Sequence, residues 1–300
     1  MVRAGLGLAF VLLAACGSVA TDSSPGGASG AAGTAGAAGS AGAPMASAGS
    51  PIDGGGGAGS GAGDAGSGGI VGRECPGATP VIASGATGRV SLPIEVTGAG
   101  ATLTTGQEVR PEGAAPYKLS LLKFFLSQPV LLKADGRRVP AQLLDGAGAP
   151  RPYGLLLVDL EDPTSLSVSV AAPAGDYAGL ELGIGVPAPC NGGDPTTHVF
   201  PLNADSDMYW TWGSQYLFIR VEGATQSDGV WNTFLHHVGF QPAFRITQVT
   251  GRILLDPSAT TAPSLHMDID RLLTVPTPAD GADAWVADNF ATHRVLTLVP

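Results

Sequence analysis

The run YLFIRVE at residues 216–222 sets Leu217, Ile219 and Val221 against Tyr216, Phe218, Arg220 and Glu222. Successive side chains of an extended chain point to opposite faces, so a period of two predicts a strand with one aliphatic face. The same pattern recurs on both sides of it. Leu180, Leu182, Ile184 and Val186 alternate with Glu181, Gly183 and Gly185; Leu166, Val168 and Val170 alternate with three serines; Val90, Leu92, Ile94 and Val96 alternate with Arg89, Ser91, Pro93 and Glu95. The unbroken run Leu155 to Leu160 reads as a central strand covered on both faces. Turn residues separate these runs at Asp135-Gly136, Asp145-Gly146, Ala174-Gly175-Asp176 and Asp228-Gly229. Residues 279–290 are expected to carry one or two helical turns, and no longer apolar stripe at helical spacing is present. Short strands joined by Gly- and Pro-rich turns predict an all-β fold, an antiparallel β-sandwich.

Upstream, the composition changes sharply. Arg3 followed by an apolar run over residues 4–15 and the tetrad Leu13-Ala14-Ala15-Cys16 has the form of a bacterial lipoprotein signal, too short to span a bilayer. The lipobox resemblance implies cleavage before Cys16 and attachment of lipid there, an anchored protein that does not span the membrane. Gly17 in place of an aspartate points to the outer membrane. Residues 16–74 are dominated by Gly, Ala and Ser, a composition that cannot offset chain entropy by burial, and are expected to form a disordered tether spanning roughly 40–45 Å. The remaining segment, 75–300, is long enough for a single domain with one core.

The chain carries 25 acidic and 15 basic residues, a formal charge of −10. No basic stripe is visible, which argues against a nucleic-acid partner. With Cys16 assigned to lipid, Cys75 and Cys190 remain in an oxidising compartment and are expected to form a disulfide; two thiolates serving a metal are the alternative, without a CxxC element to support it. Elements of hydrolases and nucleotide-binding proteins are missing: no GxSxG elbow, HExxH or phosphate-cradling loop occurs in 75–300. The chain is therefore read as a binding protein and not an enzyme. Glu161-Asp162 and Asp205/Asp207 adjoin turn signals, where Asp caps or turns the chain.

Five histidines are candidates for metal ligation: His198, His236, His237, His266 and His293. His236 and His237 are adjacent and must point to opposite faces of a strand. If 265–270 are extended, His266, Asp268 and Asp270 share a face that is either a cation site or simply solvated. The stretch MYWTW at 208–212 holds two of the four tryptophans; extended, it lines up Met208, Trp210 and Trp212. Such a set suits packing, stacking on a sugar or other flat ligand, or a soft metal site.

Taken in order, several segments resemble the MbnP family of copper-binding proteins. They are YKLSLLKFFLSQPVLL (117–132), LVDLEDP (157–163), APAGDYAGLELGIGVP (172–187), Pro201-Leu202-Asn203 before MYWTWGSQYLFIRVEG (208–223), FLHHVGF (234–240) and VADNFATH (286–293). The resemblance implies a β-sandwich binding one copper ion, as Cu(I), with a signature tryptophan oxidised to kynurenine by a partner diheme protein related to cytochrome c peroxidases. Matched position by position, His237 corresponds to the family's strand histidine, Met208 to its methionine and Trp210 and Trp212 to its oxidisable pair; His266 and His293 are the further metal candidates. This chain departs from the family in reading Asn191-Gly192 where members often have Asn-His, in lacking a histidine in 89–96, and in having two cysteines where four are frequent. A surface-displayed adhesion module that uses Trp210, Trp212 and Trp231 for stacking and has lost copper is the alternative.

Overall fold

The structure is a computed structural model that describes Cys75, 88–256, 262–275 and 284–300 of the 300-residue chain. The lipobox with Cys16, the tether before Cys75, and residues 279–283 of the expected helical segment lie outside the described residues.

Alternation in sequence becomes alternation in burial. In the strand Gly88–Gly98 (β1), Leu92, Ile94 and Val96 enter the core while Ser91, Pro93 and Glu95 face solvent. The chain continues through two-residue strands Ala101–Thr102 (β2) and Glu108–Val109 (β3) into the long strand Tyr117–Leu132 (β4). Arg138–Pro140 (β5), Gln142–Leu144 (β6), Leu155–Asp159 (β7), Ser167–Ala172 (β8) and Gly175–Ile184 (β9) follow. After three single turns of 3-10 helix come Tyr209–Trp210 (β10), Gln215–Ser227 (β11), Val230–Gly239 (β12) and Arg245–Leu255 (β13). The described chain closes with Ser264–Asp268 (β14), the helices Ile269–Leu272 (α1) and Ala284–Thr292 (α2), and Leu296–Val299 (β15).

Two sheets result, and both contribute to one apolar core. The smaller runs β15-β14-β1-β8-β6 with β2 on β1; the larger is built around β4, β11, β9 and β13. Among the described residues all ladders are antiparallel except β1 with β14. Parallel pairing needs a long crossover, and here nearly the whole domain intervenes between the two strands. The all-β sandwich read from the sequence is thus the observed architecture.

Strand β4 organises the larger sheet. Its register places β11 and then β9 along one edge, and β3, β7 and β5 along the other. The run Leu155 to Leu160 is consequently not central: among the described residues β7 pairs with β4 alone, although Leu155, Leu156 and Val158 are fully buried. Continuous hydrophobicity reported coverage of both faces correctly but not the number of strand neighbours. The expected helical turns near the C-terminus are α2, whose Phe290 packs on Phe124 with ring centroids 5.3 Å apart. The alternation through 265–270 stops at Asp268, which caps α1 by accepting from the Arg271 amide and pairs with the Arg271 side chain at 3.1 Å. Asp270 accepts from Tyr117 (2.7 Å) and from the Ala99 amide (2.8 Å), so its carboxylate ties α1 to the β1–β2 turn. Cys75 and Cys190 are joined in a disulfide, Cα atoms 4.8 Å apart, as expected.

Candidate functional site

Cross-strand register assembles a polar row that no single segment displays. His237 on β12 lies opposite Arg220 on β11, Arg220 opposite Lys123 on β4, and Lys123 opposite Asp159 on β7. Directly opposed residues share a face, so the four side chains form one line across four strands. Glu222, two residues along from Arg220, stands on the same face. Its Oε1 accepts from Arg220 Nε at 2.6 Å and pairs with His237 Nε2 at 2.8 Å. Lys123 pairs with Asp159 at 3.2 Å.

Arg220 also reaches out of the sheet. Its Nη1 donates to the Asp207 carbonyl at 3.1 Å and to the Asp207 carboxylate. One guanidinium therefore joins the His237–Glu222 pair to the chain immediately before Met208. Burial pushes the Glu222 carboxyl upward, but hydrogen bonds from His237 and Arg220 and the Arg220 charge outweigh it and hold its pKa below the ordinary value of 4.5. A carboxyl with a lowered folded-state pKa contributes stability above its unfolded pKa that is lost as pH falls through the folded one. Thermal melts should consequently fall as pH drops below about 4.5, and the Glu222→Gln chain should show a shallower acid loss. Equal acid sensitivity of the two chains would show that the network carries no such linkage.

The aromatic stretch is a tight hairpin and not an extended run. Only Tyr209 and Trp210 are paired, with Tyr216 and Gln215, and residues 211–214 turn back, Ser214 having φ 50°. Met208, Trp210 and Trp212 do not share a face as the alternation predicted. Met208 is 0% exposed in the core, Trp210 packs on Phe240 with centroids 5.3 Å apart, and Trp212 at the turn is 91% exposed. The hairpin is held by Asn191 Oδ1, which accepts the Tyr216 amide at 2.9 Å, and by the Met208 carbonyl, which accepts from the Leu217 amide at 2.7 Å.

Beneath it, Tyr216 donates to the Leu202 carbonyl at 2.5 Å and lies 2.7 Å from His198 Nδ1. A phenol has one proton, so with that proton on Leu202 it is His198 Nδ1 that donates. Burial raises the Tyr216 pKa, keeping it protonated.

The remaining candidates lie elsewhere. His236 faces away from His237, stacked on Phe234 and edge-on to Trp285, each with centroids 5.1 Å away. His266 is on β14 in the smaller sheet, its Nε2 2.7 Å from Thr97 Oγ1. His293 is exposed at the end of α2, its amide bonded to the Asn289 carbonyl. Trp231 lies under Lys118, the ammonium 4.2 Å from the ring centre. Thus Arg220 links Met208 and His237 through the backbone at Asp207, while His266 and His293 belong to other elements. Among the described residues no group of three or more His, Cys, Asp or Glu side chains is placed to hold a metal ion. His237 is an imidazole oriented by a carboxylate, and no completed donor set surrounds it among the described residues.

The fold places the chain among all-β sandwich proteins, its larger sheet carrying the polar row beside the aromatic hairpin. The family model for MbnP matches residues 87–289, and the chain belongs to the MbnP family. That membership associates it with methanobactin-related, copper-associated proteins. Among solved structures, MbnP from Methylosinus trichosporium is similar over 61% of this chain and 76% of its own, at 18% identity and a TM-score of 0.44. No curated protein sequence matches.

Proposed function

We propose that this chain handles copper outside the cytoplasm as a lipid-anchored protein of the outer membrane, with His237 as the imidazole that meets the metal. The supporting observation is the His237–Glu222 pair. A carboxylate that accepts from one ring nitrogen fixes the imidazole and leaves the other nitrogen as a more basic donor, the arrangement found behind metal-bound histidines. Reduced copper favours imidazole and thioether over carboxylate, which suits His237 and Met208 and leaves Glu222 in a supporting place. Because Met208 is fully buried, it reaches a metal only if the 207–214 segment shifts.

The rest of the donor set is proposed to come from maturation. A diheme partner related to cytochrome c peroxidases would oxidise a signature tryptophan to kynurenine, whose aniline and carbonyl offer atoms that indole lacks. Trp212 is the indole open to direct contact with such a partner, whereas Trp210 is covered by Phe240. Full chain co-expressed with the partner should bind one Cu(I) per molecule in a chelator competition. The Glu222→Gln chain should bind about 10–100-fold more weakly and the His237→Ala chain should lose the site. Unchanged stoichiometry and affinity in His237→Ala would refute the assignment. A peptide spanning 208–220 that keeps both indoles intact after co-expression would refute maturation, and Cys16→Ser should release the protein from the membrane fraction.

A second reading has its own support. The histidines do not converge and Trp212 stands in solvent, as expected of a surface module that stacks an aromatic ring on a flat ligand. It gains if Trp212→Ala leaves copper uptake unchanged.

A further inference from the structure

Two cavities share lining residues around the Asp145–Arg151 turn, and the first reaches the Lys123–Asp159 end of the polar row. They measure about 450 and 430 Å³ and share Asp145, Gly146, Arg151 and Thr164. Arg151 stands between them. Its Nε donates to the Leu144 carbonyl at 2.9 Å, but among the described residues its two Nη groups have no hydrogen-bond or ion-pair partner. Burial lowers its pKa, and the nearby charges of Asp145 and Asp162 offset this only in part. A half-buried guanidinium with an idle fork is a donor set waiting for an oxyanion.

The second cavity supplies more of the same chemistry. Arg89 lines it without an ion pair among the described residues, its guanidinium lying over Gly148, where φ is +80° and a side chain would collide with it. Ser91, Ser167 and Ser169 form a hydroxyl chain, 2.7 Å from Ser91 to Ser167 and 2.9 Å from Ser169 to Ser91. Three hydroxyls joined by two mutual bonds leave one proton to donate outward, whichever way the chain runs. Asp145, the one carboxylate in this cavity, is committed to the Ala147 and Ala149 amides through Oδ1. In a chain of net charge −10 this cavity carries two guanidiniums against one carboxylate.

The first cavity is the complement. Asp159, Asp162 and Asp205 line it with Ser206 and with Lys123, which pairs with Asp159, and Phe200, half exposed, gives an apolar wall. Carboxylates accept from hydroxyl groups and repel phosphate. We propose that the joined cavities bind a phosphorylated polyol, its phosphate between Arg89 and Arg151 and its hydroxyls against the aspartates of the first cavity. The site uses neither His237, Glu222 nor Met208 and so stands independently of the copper reading, although the Lys123–Asp159 end of the polar row lines its first cavity. The phosphorylated polyol is either a soluble ester or the headgroup of a lipid.

The test is a calorimetric titration of the full chain carrying Cys16→Ser, which removes the proposed lipid anchor, with glycerol 3-phosphate, glycerol and inorganic phosphate, beside flotation of the same chain with phosphatidylcholine vesicles containing or lacking phosphatidylglycerol. Glycerol 3-phosphate should saturate one site, with glycerol and phosphate each at least about tenfold weaker. Arg89→Ala, at an exposed position, and Arg151→Lys, which keeps the charge but removes the fork, should each weaken binding about tenfold or more with melting temperature retained. Flotation only with phosphatidylglycerol, abolished by Arg89→Ala, assigns the headgroup as the natural ligand; a soluble response alone assigns the free ester. No saturation by glycerol 3-phosphate up to about 10 mM together with no flotation overturns the proposal, as does binding that neither variant changes. Equal affinity for inorganic phosphate and glycerol 3-phosphate overturns the polyol half.

Discussion

Arg220→Met is expected to destabilise the domain by about 2–3 kcal/mol, less than a fully buried pair costs on losing one partner because Arg220 and Glu222 keep some solvent contact. Their side chains are 19% and 18% exposed. The variant leaves Glu222 with His237 alone and removes both hydrogen bonds to Asp207, so the consequence is local as well as global. The segment that carries Met208 and Trp210 loses its side-chain tie to β11, and with it the link through Arg220 and Glu222 to His237. Denaturant unfolding should register the loss, and limited proteolysis should cut between 207 and 214 faster than in the parent chain. A parent-like midpoint with an uncut hairpin would show that Arg220 is a surface charge of no structural consequence.

Replacing Cys75 and Cys190 by serine is expected to cost more. The bridge closes a loop with a sequence separation of 115, and the loop-entropy model assigns a closure of that length about 4–5 kcal/mol, with less if the unfolded chain keeps structure. For a domain of this size the melting temperature should drop by about 10 °C. Cys190 precedes Asn191, whose side chain holds the Tyr216 amide and reaches Gln215 at 3.4 Å. The hairpin should therefore loosen early in the melt, visible as Trp fluorescence change before loss of the far-ultraviolet signal. Coincident transitions by both probes would show that the bridge acts on the unfolded chain alone.

Much of the fold could be read in advance because one-face burial writes itself into sequence at period two. Leu92, Ile94, Val168, Val170, Leu180, Leu182, Ile219 and Val221 were all identified that way and are all buried. The reading failed where the chain changes direction inside an apparently extended run. At 208–212 the alternation was real in composition, but the hairpin turn begins at Thr211 and sends Trp212 outward. At 265–270 Asp268 served as a helix cap, a role its period-two position disguised. Both errors share a cause: turn and cap geometry depends on a few backbone angles that residue periodicity does not report.

The candidate site divides in the same way. His237 and the aromatic hairpin were visible as residue types in an ordered series of motifs, and Arg220 and Glu222 already stood on one face of 216–222. Their joining was not visible, because His237 is 15 residues from Glu222 and Asp207 is 13 from Arg220. Arg89 and Arg151 carried no motif at all.

By itself the sequence determined the strand faces, the sandwich class, the candidate disulfide and the family, since all of these rest on local pattern or on the order of motifs along the chain. Which polar groups meet depends on long-range pairing that no local pattern encodes. Strand register brings His237, Arg220, Lys123 and Asp159 into one row from four strands, puts His266 in the other sheet, and leaves the Arg151 fork open between two cavities. Register is set by the packing of the whole core, and a shift of one residue would turn the side chains of that row to the opposite face.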